Sequence, residues 1–259
     1  MKILHLILLL SGTASLCAQH APKKIGLPDV LKEVSGLYVA SPDSLWWVND
    51  SGNAPSLYLT NAKGQLVQQV KLPVRNVDWE DLTYDKMGNI YIGDFGNNAN
   101  QRNNLKIYKY HLSSRALDSI MFNYPDQRAF PPASEDRNFD MEGFFWYNSQ
   151  LHLFSKNKLP MGNYYTKHYT LSDAPGLQQA TLRDSIYLPN RVVTSAAISP
   201  DYQTVALLTY DYKVHLKWFP KSKVSIFLLH HFNNTNFLRG DLSEQKSQVF
   251  YANFPIRIY

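Results

Sequence analysis

DWEDLTYDKMGNIYIGDFGNN, residues 78–98, sets the problem: four carboxylates (Asp78, Glu80, Asp81, Asp85), a strand-like run, then Asp94 among glycines and asparagines. The stretch reads either as a set of metal ligands or as the turn chemistry of a repeated β-unit. Asp and Asn cap turns by accepting from backbone N–H groups, and Gly supplies positive φ. On that account DKMGN, 85–89, is a hairpin turn between two short strands.

The rest of the chain favours repetition. Val34–Asn61, Trp79–Leu112, Met141–Leu171 and Ser195–Phe219 share one pattern. A short apolar strand is followed by a polar turn (SPDS, DKMGN, YNSQ, SPDYQ) and a second strand (LWWVND, IYIGDF, LHLFSK, VALLTY). A third strand follows after a loop (SLYLTN, LKIYKY, YYTKHYTL, KVHLKWF), then a fourth (QLVQQVKLP, LDSIMFNYP, RDSIYLP, KVSIFLLHHF). The segment GDLSEQKSQVFYANFPIRIY, 240–259, reads as a shorter fifth copy. Taking Gly36, Asp81, Gly143, Ala197 and Asp241 as markers, the copies are 45, 62, 54 and 44 residues apart. Periods near 40–50 residues with four strands per repeat are the mark of propeller blades. A blade cannot bury both faces alone, so blades stack around an axis. The expected fold is therefore all-β: a β-propeller with five or six four-stranded blades. Six would require KKIGLPDVL, 23–31, to share a blade with the C-terminal strands.

Composition sets the outer bounds. The chain has 259 residues, 14% aromatic and 18% charged, which suits one large β-rich domain. MKILHLILLLSGTASLCAQ has one Lys before an apolar run and small residues after it, the pattern of a secretory signal. Residues 1–18 are expected to be the signal peptide and 19–259 a single propeller domain, secreted or periplasmic. The one cysteine, Cys17, would leave with the signal. Leu16 just before it and Ala14 three before do not make a lipid-anchoring pattern, so anchoring there is not expected. No later apolar run reaches the length needed to span a bilayer. The net charge of +5 comes from scattered Lys and Arg without a nucleic-acid-binding motif, so no nucleic-acid partner is expected.

NDSGN (49–53), DWEDLTYD (78–85), IYIGDFGNN (90–98) and MEGFF (141–145) resemble a family of secreted bacterial β-propellers, often from Bacteroidota. That family is distantly like the gluconolactonase- and phytase-type propellers and has no assigned activity. The likeness covers nearly the whole mature chain and is weakest after Asn190. Enzymes resembling gluconolactonase hold a divalent cation in the channel, where it polarises a carbonyl and a water.

Glu80 and Glu142 each begin the first strand of their copy, which in a propeller lines the channel. Asp50 and Asp94 end second strands. Asn49, Asp78, Asp81, Asn97 and Asn98 add oxygen near the same rim. Oxygen ligands of these types suit Ca²⁺. Asp50, Glu80, Asp94 and Glu142 are thus the candidate metal ligands. Asn49, Asp78, Asp81, Asn97 and Asn98 are the candidate binding residues. Against this, a buried Glu80 could pair with Arg75 or Arg102, and the third and fourth copies carry Lys156 and Thr209 where Asp50 and Asp94 stand. Histidines sit singly or, as His230 and His231, on opposite faces of one strand, and no GxSxG elbow or phosphate loop occurs. The leading reading is a non-catalytic propeller that binds a protein, a glycan or a small molecule at its channel mouth. The alternative is a Ca²⁺-dependent hydrolase of lactones or esters.

Overall fold

A computed structural model describes residues 25–156, 165–189, 191–211, 224–230, 232 and 250–252. Strands β1 (Val34–Ser41), β2 (Ser44–Asn49), β3 (Ser56–Thr60) and β4 (Leu66–Lys71) form blade 1 in sequential antiparallel order. Blade 2 is β5 (Trp79–Tyr84), β6 (Asn89–Asp94), β7 (Lys106–His111) and β8 (Leu117–Asn123). Blade 3 begins with β9 (Met141–Tyr147), β10 (Gln150–Ser155) and β11 (Tyr165–Ser172). The chain then adds β12 (Gly176–Gln179) in parallel to the outer edge of blade 2 before returning as β13 (Thr181–Tyr187) to complete blade 3. Blade 4 is β14 (Arg191–Ile198), β15 (Thr204–Asp211), β16 (Val224–His230) and β17 (Phe250–Ala252).

The described residues therefore make a propeller of four blades, which corrects the expected five or six. The miscount arises in blade 4. Val224–His230 pairs directly with β15, so it is the third strand of that blade and not the fourth. Phe250–Ala252, expected within the second strand of a short fifth copy, pairs with β16 and closes the fourth blade. At the other end, Asp29–Leu31 is a 3₁₀ turn rather than a strand of a shared blade. The signal segment and the expected strand Lys213–Phe219 lie outside the described residues.

Local chemistry makes the hairpins. Asp85 Oδ1 accepts from the N–H groups of Met87 (2.8 Å) and Asn89 (2.9 Å), and Gly88 takes φ +95°, so DKMGN is the turn its sequence suggests. Asn148 and Ser149 both adopt positive φ between β9 and β10, as the tightest hairpins require.

Apolar strand faces pack between blades. Trp46, Val48, Leu57, Trp79, Ile90 and Ile92 fill the joint between blades 1 and 2. Phe95, Ile107, Phe144, Leu151 and Tyr169 fill the joint between 2 and 3, and Phe145, Phe154, Val193 and Leu207 that between 3 and 4. Among the described residues no such cluster joins blade 4 to blade 1. Near the axis the inner strands touch backbone to backbone. A Cβ on Gly36 would stand 2.8 Å from Asp81 Cα, and one on Gly143 2.6 Å from Ala196 N. Gly36, Asp81 and Gly143, the repeat markers, are thus points where neighbouring blades meet. Only glycine permits that approach.

Candidate metal centre at the axial mouth

Equivalent positions in three blades build the mouth. In blade 1 the N–H of Asp50 donates to the carbonyl of Glu33 (2.9 Å), and in blade 3 that of Lys156 donates to Asp140 (2.7 Å). Each joins the residue after the second strand to the residue before the first. In blade 2 the same bond runs from Gly96 to Asp78 (3.1 Å), with Phe95 inserted. The second residue of each first strand, Ser35, Glu80 and Glu142, then lines one cavity of about 820 Å³. Asp50, Lys156, Ser195 and Tyr210 also line it, with Lys32 and Glu33 on the blade 1 side, so all four blades contribute.

Two triads of carboxylates converge here. Ligand oxygens of Asp50, Asp78 and Glu80 lie within 4.8 Å of one another, and so do those of Glu80, Asp140 and Glu142. Glu80 belongs to both. It is only 9% exposed, and among the described residues no hydrogen-bond donor and no cation reaches its carboxylate. Burial, followed by the charges of Glu142, Asp78, Asp140 and Asp50, pushes the Glu80 pKa well above the usual carboxylate range. Asp78 is also raised, first by burial and then by Asp50, with Arg102 pulling the other way. Glu142 differs, because Lys156 Nζ lies 2.6 Å from its Oε1. Burial works against that ammonium, yet Glu142 beside it outweighs the cost and raises the Lys156 pKa. Gly96 gives the acids room, since a Cβ there would collide with Glu80 Oε1 and Asp78 Oδ2.

The other sequence candidates have different places. Asp94 is fully buried, and its Oδ1 accepts from Arg102 Nη2 (2.9 Å) and from the N–H of Asp78 (3.1 Å). Arg102 thus serves Asp94 and not Glu80. Asn49 donates through Nδ2 to the Val30 carbonyl (2.7 Å). Asn97 donates its N–H to Asp140 Oδ1 (2.7 Å) and accepts from the N–H of Arg102 (2.9 Å). Asn98 is exposed on the same loop. Asp81 lies on the axis beneath the mouth, buried, and accepts from Ser195 Oγ (3.0 Å) of blade 4 and the N–H of Leu82 (2.9 Å). Burial pushes its pKa to about 8, against hydrogen bonds from Leu82, Ser195, Phe144 and Ala196.

Sequence reasoning passes over Asp140 and gives Lys156 no positive role. One signal exists for the first: Asp78-Trp79-Glu80 and Asp140-Met141-Glu142 repeat as D-x-E at the start of two copies. Among the described residues the histidines stay out of the centre. His152 and His168 are buried and their rings meet at Nδ1···Nε2 3.0 Å, and burial, then Arg183, lowers the His152 pKa to about 3. A second hollow of about 510 Å³, lined by Trp46, Tyr110 and Arg115 between the outer parts of blades 1 and 2, has no carboxylate or histidine in its wall.

No protein-family model matches the sequence, and no characterised protein matches it by sequence. Solved structures match by shape at low identity. The Cps50 (Swd1) β-propeller domain of Myceliophteria thermophila is 6% identical, with 83% of this chain and 72% of that one covered and a TM-score of 0.40. An α-L-arabinofuranosidase from Fusarium graminearum is 10% identical over 88% of this chain and 69% of that one, TM-score 0.45. The tricorn protease is 10% identical over 91% of this chain, TM-score 0.41, and this chain spans only 18% of its length.

Hard oxygen ligands converging around a buried, uncompensated carboxylate fit a divalent cation of the Ca²⁺ type, which takes about six to eight oxygens. Asp50, Asp78 and Glu80 would hold it. Its chemistry would be to neutralise these acids and to offer open coordination towards the cavity.

Proposed function

We propose that the protein is an exported binding propeller that holds Ca²⁺ at its axial mouth and takes up a ligand in the adjoining cavity. One observation carries this reading: Glu80 is nine-tenths buried, has no donor or cation among the described residues, and shares its surroundings with four further carboxylates. A buried charge of that kind is strongly unfavourable unless paired. Lys156 offsets part of the charge on the Glu142 side, while among the described residues nothing equivalent stands between Asp50, Asp78 and Glu80. A divalent cation is the simplest complement. The expected ligand is a small molecule or glycan rather than an acid, because the mouth remains acidic even with one cation bound.

Binding is favoured over hydrolysis by the state of Glu142. It is the other carboxylate facing the cavity from a first strand, and its Oε1 is committed to Lys156 at 2.6 Å. A general base must be available to the proton it removes. Hydrolysis of lactones or esters is the second reading, favoured by the size of the cavity beside the acids.

Thermal unfolding of metal-stripped protein with and without Ca²⁺ tests the proposal. Ca²⁺ at 100 times its Kd should add about 2.7 kcal/mol to the wild type. Glu80→Gln should be at least as stable as wild type in EDTA and should lose the response to Ca²⁺. An unchanged melting temperature in the wild type would sink the cation reading. Turnover of lactones or esters that requires Ca²⁺ and vanishes in Glu142→Gln would replace binding by hydrolysis.

A further inference from the structure

We propose that Lys156 is a tethered cation filling the more buried of two carboxylate triads, so that the protein takes one divalent cation where its acids alone would take two. The inference rests on the cation reading and concerns the number of sites.

The two triads are related by the blade repeat. Asp50 and Lys156 occupy the same backbone position in blades 1 and 3, each donating its N–H to the residue before its own first strand. Blade 2 lies between them and presents Glu80 to both sides. On the blade 1 side the repeat position is an acid, which gives the triad Asp50, Asp78 and Glu80. On the blade 3 side the D-x-E acids Asp140 and Glu142 make the second triad with Glu80, and the repeat position is a lysine. Its Nζ lies 2.6 Å from Glu142 Oε1, with the two side chains only 13% and 6% exposed. An ammonium is a compact point charge with three donors on a flexible stem. Three carboxylates whose oxygens approach within 4.8 Å would otherwise repel one another in a medium of low dielectric. The ammonium pairs with Glu142 and acts through its charge on Asp140, as a bound ion would, but it cannot dissociate. Among the described residues no cation bonds an acid of the blade 1 triad: Arg102, whose charge acts on Asp78, is bonded to Asp94 and to the carbonyl of Gly96 (2.7 Å).

Calorimetric titration of Ca²⁺ into metal-stripped, folded protein counts the sites. Wild type should bind one equivalent. Lys156→Met should bind two, with a second rise in melting temperature at higher Ca²⁺. Lys156→Gln, which keeps a polar end, supplies the same count should the methionine variant fail to fold, and Lys156→Arg should stay at one. One equivalent in wild type and still one in the Met or Gln variant would overturn the inference while leaving the cation reading intact. No binding by the wild type would overturn both.

Discussion

Glu80 and Asp94 lie fourteen positions apart in one blade, and both are buried carboxylates, yet they have opposite surroundings. Asp94 Oδ1 accepts from a guanidinium and a backbone N–H, and the guanidinium continues to the carbonyl of Gly96. Glu80 faces a cavity and four other acids. The first is architecture: it ties the loop after β6 to the entry of β5. The second is a charge that the fold leaves to be compensated. Burial of an acid therefore does not by itself mark a site; the groups that reach the acid do.

Three changes probe that contrast, beginning with the largest expected effect. Arg102→Met leaves Asp94 buried without its cation, so it should destabilise by about 3–5 kcal/mol, read by urea unfolding. The counterpart Glu80→Gln removes a charge that has no partner among the described residues and should cost nothing in EDTA. Equal losses in the two variants would erase the distinction. Gly96→Ala introduces a methyl group against Glu80 Oε1 and Asp78 Oδ2, the ends of side chains that can move aside. Stability in EDTA should fall by less than about 1 kcal/mol, whereas Ca²⁺ affinity should fall about tenfold, or about 1.4 kcal/mol by calorimetry.

The smallest effect is a slope with pH. Glu80, Asp78 and Asp81 have folded pKa values above their unfolded ones, so the folded state binds more protons. Stability contributed by these groups is complete below about pH 4 and declines as pH rises towards their folded values, to about 8 for Asp81. Each group contributes at most about 1.4 kcal/mol per pH unit. Saturating Ca²⁺ should flatten the part due to Glu80 and Asp78. The part due to Asp81, buried on the axis with partners of its own, should persist. A melting temperature that rises from pH 5 to 8 in EDTA would contradict the sign.

Much of the site is half legible in the sequence. Glu80 and Glu142 belong at the mouth because a first strand lines the axis and each stands one position before its repeat marker. Asp94 groups with them by chain position, since it ends a second strand as Asp50 nearly does. Insertion of Phe95 alters the course of the loop beyond it, and the Asp94 carboxylate meets Arg102 instead. Asp81 has the right chain position for a rim and the wrong depth. Gly36 in the neighbouring blade admits its backbone to the axis, and Ser195 from the fourth blade bonds it there. Blade number escapes for a related reason. Apolar strands announce themselves by alternation, but which strand pairs with which depends on partners far along the chain.

By itself the sequence determined the all-β repeat, the four strands of each of the first three blades though not the added β12, and the turn made by Asp85, because these rest on local rules: side-chain alternation, positive φ at Gly88, and a carboxylate beside its own N–H groups. Tertiary structure decided that Phe250–Ala252 closes blade 4, that Asp94 is latched and Glu80 is not, and that Lys156 comes to stand against Glu142 and near Asp140. Those outcomes depend on distances between blades. A few ångströms change a carboxylate's energy more than any local propensity does, and only closure of the blades around their axis sets those distances.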